Sequence, residues 1–276
     1  MSRWGGKVLF WAFLILIAGI TLFPVLIALL GSFKSNAEIT SGATFFPGQW
    51  HFDNYVEAWK QAKFSKFTWN SLFVASVTTV GTLIVASMSA YVVDRFSFRG
   101  KGLYVGLQAA TMFITIGAVV LRPQFDLMML LHLNKSLWGV IIILISQHAY
   151  IFFILYSFMN AIPKELDEAA FIDGCSMPRT YARIILPLLG PGLGVSALFT
   201  FRGAWNEYLL PFVFTLTQPD LQTLPVGLAM LRYGASAAVQ THYMMAGASL
   251  SILPLLVVYV LANKSFMQMT AGSIKG

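Results

Sequence analysis

From Val8 to Leu30 the chain runs without a single charged residue. A helix needs about 20 apolar residues to cross a hydrocarbon core about 30 Å thick, and this stretch is long enough. It is too long for a signal-peptide core and no small-x-small cleavage site follows, so it reads as an anchor. Five further stretches of the same kind follow, giving expected spans at 8–30, 69–93, 103–121, 137–159, 188–213 and 243–262. The composition agrees: 57% of residues are hydrophobic and only 11% charged, against about 25% charged in an ordinary soluble domain. The chain is expected to form an all-α membrane protein with one transmembrane domain over 1–276.

The spans differ in kind. The second carries Ala75, Ser76, Gly81, Ala86, Ser87, Ser89 and Ala90, small residues that let helices approach closely. The third is stopped by Arg122-Pro123, and the fourth by Asn160 and Pro163. The fifth is interrupted by Pro191, Gly192, Gly194, Arg202 and Glu207; the sixth ends at Asn263-Lys264. With both termini inside, the short inner segments hold Arg3, Lys7, Arg95, Arg99, Lys101, Lys164, Arg179, Arg183, Lys264 and Lys275. That bias is the one cytoplasmic loops carry. It also accounts for the net charge of +7 without a nucleic-acid partner, which would need a soluble basic face. The lone cysteine, Cys175, excludes an internal disulfide. His51, His132, His148 and His242 are too scattered to mark a metal site.

The inner loop 163–187 is built to fold. Four of the eleven acidic residues, Glu165, Asp167, Glu168 and Asp173, fall within it. Pro163 suits the first turn of a helix, and the acids sit at the positive end of the helix dipole. Gly174 is placed to stop that helix in a left-handed conformation. Ser176 and Pro178 are placed to start a second one, and Pro187 to bend the chain into the membrane. Leu166, Ala169, Ala170 and Asp173 share one face by helical spacing, whose low profile suits a partner's groove. An anionic membrane surface would repel such an acidic helix.

The string Glu168-Ala169-Ala170-x-x-Asp173-Gly174, followed by Tyr181, Ile184, Leu186-Pro187-Leu188 and Pro191, resembles the EAA loop of permease subunits in binding-protein-dependent ABC importers. Cys175 stands where alanine is usual and Tyr181 where phenylalanine is usual. Shorter strings extend the resemblance to the carbohydrate-uptake branch and its six-span maltose-type permease. They are Phe23-Pro24 with Ser32-Phe33-Lys34, Phe52-x-Asn54-Tyr55-x-x-Ala58-Trp59, Asn70-Ser71-Leu72, and Ala90-Tyr91 with Arg95-Phe96-x-Phe98-Arg99-Gly100-Lys101. Trp205-Asn206-Glu207-Tyr208 and Thr223-Leu224-Pro225-Val226-Gly227-Leu228 complete the series in the family's order.

The resemblance implies a type I ABC importer permease fold in the cytoplasmic membrane of a bacterium or archaeon. Glu168, Ala169, Ala170, Asp173 and Gly174 would form a coupling helix seated in a cytoplasmic ATPase dimer. The implied partners are a second homologous permease, two copies of the ATPase, a solute-binding protein and a sugar. ATP and magnesium would belong to the ATPase, and this chain has no Gly-x-x-x-x-Gly-Lys phosphate loop of its own. The stretch from Gln218 to Gln240, with Leu224, Pro225, Gly227 and Gly234, resembles the family's scoop loop; an ordinary surface loop is the alternative.

Intramembrane polar groups face protein or water and are candidates for function. Two readings of the cluster in the fifth span stay open. Arg202 is paired across helices and Glu207 lies near the outer headgroups, or Trp205, Asn206, Tyr208 and Arg202 line a solute path. In maltose-type pairs the other permease supplies most sugar contacts. A glycerol-phosphate-like solute fits the same architecture. An ion-coupled carrier would show inverted repeats, and a membrane enzyme paired catalytic groups; neither pattern is present.

Overall fold

The computed structural model describes residues 3–42, 44–113, 117–231 and 240–273. No strand occurs among them. The helices in order are α1 (Arg3–Gly31), α2 (Asn36–Ser41), α3 (Asp53–Gln61), α4 (Phe64–Arg95), α5 (Lys101–Phe113), α6 (Leu121–Leu130), α7 (Leu137–Ser146) and α8 (Ala149–Asn160). They continue with α9 (Glu165–Ile172), α10 (Met177–Thr180), α11 (Leu186–Leu188), α12 (Gly190–Asn206), α13 (Leu209–Thr215), α14 (Leu224–Leu231) and α15 (Thr241–Ser273). Two compact units emerge: Met1–Phe67 with Val226–Leu253, and Thr68–Pro225 with Pro254–Gly276.

Among the described residues, three helices are long and apolar enough to span a bilayer, within α1, α4 and α15. The expected fourth span is a bent pair, and the expected fifth, 188–213, begins at a bend and takes in α12 and α13. α7 and α8 meet at 48°, and the helical run Met177–Leu188 meets α12 at 78°. The expected third span crosses residues 114–116, outside the described residues. Arg122-Pro123 does not stop the chain as expected. Both residues lie in the first turn of α6, where a missing N–H removes no helical bond, and Arg122 pairs with Asp126 at 2.9 Å one turn on.

In the first unit, the loop after α1 is folded by its own polar groups. The Asn54 side-chain amide donates to the carbonyls of Ser32 (2.8 Å) and Lys34 (2.9 Å). Buried Lys34 donates to the Thr44 carbonyl. Glu38 accepts from the Gly48 amide and the Thr44 hydroxyl, both at 2.8 Å, and the Gly48 bond foremost holds its carboxyl below the usual range. Phe33 gathers Trp50, Phe52 and Tyr55, each with ring centroids 5.2 Å away.

In the second unit, α4 is the central post. Val74, Ala75, Ala86 and Ala90 are fully buried along it, the close approach that small side chains permit. Around Ala86, Ala90 and Tyr91 pack Phe152, Leu155 and Met159 of α8, with Ile185 and Leu189. A second cluster joins Val74 to Val140 and Ile141 of α7 and to Leu210 and Phe214 of α13. The α7–α8 break has its polar groups met locally, as membrane depth demands. The Gln147 amide donates to the Leu144 carbonyl at 3.2 Å. His148 Nε2 lies 3.2 Å from Gln108 Nε2, and its Nδ1 3.2 Å from the Ile145 carbonyl.

Candidate functional site

The loop 163–187 does fold into two short helices at a turn. α9 begins at Glu165 with Lys164 at its cap, so Pro163 stands just before the helix and not in its first turn. Its end is a Schellman motif. Gly174 takes φ +77°, its amide donates to the Phe171 carbonyl at 3.0 Å, and the Cys175 amide reaches the Ala170 carbonyl at 2.9 Å. Ser176 occupies the cap of α10 in an extended conformation but makes no side-chain capping bond; Pro178 opens that helix as expected. Pro187 cannot donate to the carbonyl four residues back. The chain adjusts just before it with a π turn over Tyr181–Ile185, in which the Leu186 amide reaches back to Tyr181.

Forcing alanine into the left-handed turn costs about 1–2 kcal/mol. Gly174→Ala is therefore expected to speed hydrogen exchange of the Cys175 amide roughly tenfold or more. Unchanged exchange would refute the capping role.

The expected docking face is divided. Ala170 is buried, 3% exposed, together with Asp167. Glu168, Ala169, Asp173 and Gly174 are exposed. The inward stripe of α9 is thus Asp167–Ala170, one turn apart, and its outward face carries Phe171 and Ile172, the latter 86% exposed. Neither apolar residue is in the family string, yet an exposed Phe-Ile pair at a helix end is a signal readable from the sequence.

Asp167 is held from two sides. Its Oδ1 accepts from the Tyr91 hydroxyl at 2.8 Å. Its Oδ2 lies 2.8 Å from Arg95 Nε, angled as an ion pair and not as a straight hydrogen bond. Arg95 also donates from Nη1 to Asp94 (2.5 Å) and from Nη2 to the Ile162 carbonyl (2.9 Å).

The residues expected on a solute path do not assemble as one surface. Trp205 is buried at 2% exposure and stacks on Phe201, centroids 5.9 Å apart. Tyr208 is half-exposed and stacks on Phe212 at 5.5 Å. Arg202 and Asn206 are exposed on one face of α12, and Arg202 has no charged partner among the described residues. Glu207 is used locally, accepting the Leu210 amide at 3.0 Å to start α13. Pro191, Gly192, Gly194 and Arg202 do not interrupt the span: α12 runs through them, with Pro191 in its first turn, and ends before Glu207.

A groove of about 260 Å³ opens instead beside the α7–α8 break. α4 contributes Thr78 and Thr82, the break contributes Gln147 and Tyr150, and α12 contributes Thr200, Gly203, Ala204 and Glu207. Thr78 and Thr82 are each 2% exposed, and neither hydroxyl finds a hydrogen-bond partner among the described residues. A buried unpaired hydroxyl is costly, and these two stand in the wall of the groove. Polar residues at i and i+4 inside an apolar span were its sequence signal.

Leu224, Pro225 and Gly227 do not sit on a loop tip. Leu224 and Gly227 are buried and all three belong to α14. The Leu224 amide donates to Ser71 Oγ at 2.8 Å, and Asn70 bonds the carbonyls of Asp220 and Gln222 at 3.0 and 2.8 Å. A Cβ on Gly227 would collide with the Phe67 ring. Residues 232–239 of the expected scoop, Gly234 among them, lie outside the described residues.

The family model described as "Binding-protein-dependent transport system inner membrane component" matches residues 3–268. The chain belongs to this family. The diacetylchitobiose uptake system permease protein NgcG of Streptomyces coelicolor is 33% identical, over 95% of this chain and 85% of its own length. The arabinooligosaccharides transport system permease protein AraQ of Halalkalibacterium halodurans is 32% identical over the whole of both chains. The trehalose transport system permease protein SugB of Mycobacterium tuberculosis is 31% identical over 97% of each. In fold, the chain is similar to a crystal structure of a bacterial ABC transporter involved in the import of the acidic polysaccharide alginate, with TM-score 0.77, 21% identity and 96% and 98% of the two chains covered. The family places the chain in the inner membrane as a multi-pass transporter subunit, with the type I permease fold.

Proposed function

We propose that this permease is one of two transmembrane subunits of an ATP-driven importer for a sugar or oligosaccharide. The observation that carries the reading is the inner loop: a capped, acidic helix fixed to the permease by one face and free on the other. A separate pair of ATPases, holding ATP and Mg²⁺, binds the free face of α9 and drives alternating access. A solute-binding protein delivers the sugar at the opposite side, and both termini are cytoplasmic. The hydroxyl and amide groups of the α4–α8–α12 groove suit a polyhydroxylated solute, and relatives named for chitobiose, arabinooligosaccharide and trehalose uptake support that solute class. A second permease completes the path, since Arg202 and Asn206 face outward from α12.

Reversing the charge at exposed Glu168 tests the coupling. Glu168→Lys is expected to weaken ATPase co-purification about tenfold, with the permease still inserted; full retention of the ATPase would sink the coupling reading. Uptake of labelled oligosaccharides and of glycerol phosphate by cells lacking the chain tests the solute class. Loss of glycerol phosphate uptake alone would replace sugar with an anionic solute.

A further inference from the structure

The ionic cluster beneath the coupling helix has no counterpart in the loop's own sequence string. Arg95, Asp94 and Asp167 have side chains 4%, 3% and 7% exposed. Taking three charges out of water is expensive, and apolar side chains of similar volume commonly serve stability as well or better. Such a cluster earns its place by fixing geometry. Here the guanidinium is engaged at Nη1, Nε and Nη2 by Asp94 on its own helix, Asp167 on α9 and the Ile162 carbonyl in the linker before α9. Tyr91, one turn back on α4, holds the other oxygen of Asp167 at 2.8 Å. Both carboxylate oxygens are therefore fixed from α4, which defines the position and the rotation of α9. Only a planar, multiply donating cation can do this; an ammonium offers a single point of charge.

The two faces of α9 then have opposite tasks. Glu168, Ala169 and Ile172 are exposed, while Asp167 and Ala170 lie against the permease. We propose that Arg95, with Tyr91 and Asp167, is the positioning residue that latches α9 to the inner end of α4, so that displacement of the coupling helix moves the second span as one body. Through α4 the motion reaches Thr78 and Thr82 in the groove wall. This inference rests on the reading of α9 as the ATPase-facing helix.

The test is hydrogen exchange on the complete importer, with and without MgATP. In the wild type, MgATP is expected to change exchange both in α9 and in the inner turns of α4. In Asp167→Asn, nearly isosteric, the α9 response persists while the α4 response falls roughly tenfold, and Arg95→Lys gives the same separation. A merely stabilising cluster would shift basal exchange and leave the nucleotide response of α4 in place; that outcome overturns the proposal. Where Asp167→Asn yields too little complex, Tyr91→Phe decides, since it removes one hydroxyl and keeps the ring. Its α4 response is expected to fall two- to threefold or so, and an unchanged response overturns the latch. If α9 itself ignores MgATP in the wild type, the ATPase-facing reading fails, and that failure is distinct from loss of the α4 response alone.

Discussion

Gly203→Trp is expected to abolish solute uptake while leaving the permease folded and its ATPase bound. Gly203 lies in the last turn of α12 and lines the groove beside Thr78, Thr82, Gln147 and Tyr150. A Cβ added there meets nothing within 4 Å, so the backbone tolerates a side chain. Glycine inside a helix costs roughly 0.5–1 kcal/mol relative to alanine, so substitution favours the helix. An indole then occupies a large share of about 260 Å³. Folding and transport are thus driven in opposite directions by one change, which separates this prediction from ordinary destabilisation. Gly203→Ala serves as the control, with uptake retained and stability equal or higher. Uptake by Gly203→Trp at the wild-type rate, in a correctly assembled importer, would remove the groove from the solute path.

The contrast between groove and loop shows what a linear reading reaches. The turn at Gly174 was legible because its cause is local: a left-handed residue and two bonds within five positions. The inner face of α9 was not, because Asp167 is tied to Tyr91 and Arg95, more than seventy positions earlier. Spacing alone put Ala169 and Ala170 on one face; the Asp167 tie rolls the helix so that Ala170 is covered. The same limit applies to Trp205-Asn206-Glu207-Tyr208. Trp205 and Asn206 are adjacent in sequence, yet about 100° apart around α12, which ends before Glu207, so the string distributes itself between a stacked core side chain, an exposed amide and a carboxylate that starts α13. Leu224, Pro225 and Gly227 carry the turn-forming signature of a loop, but bonds from Ser71 and Asn70 draw that segment inward and it closes as a helix. Apolar run length reported the spans without reporting their bends. Those arise where Gln147 and His148 satisfy a broken backbone, and at Leu189, where Pro191 has no amide to offer the Pro187 carbonyl.

Ile172→Asp is expected to be the most damaging single change at the inner loop, more so than Glu168→Lys. Ile172 is 86% exposed, the most exposed large apolar residue on the loop, beside Phe171 at 42% and Leu166 at 38%. An isoleucine presented in this way stabilises an interface only when a partner covers it. Full burial of its side chain contributes about 1.5–3 kcal/mol, and the aspartate adds the cost of desolvating an unpaired carboxylate. Affinity for the ATPase is therefore expected to fall about 100-fold or more. Glu168, by contrast, is a solvated charge whose pairing is screened. The change should leave the permease itself intact, because Ile172 lies on the face of α9 away from Asp167 and Ala170. Titrating purified ATPase onto the membrane-embedded permease gives the comparison directly. Isoleucine replaced by valine should retain most of the affinity. Equal binding by the wild type and Ile172→Asp would mean that the exposed apolar end of α9 is not the ATPase contact, and the charge of Glu168 alone would have to account for the docking.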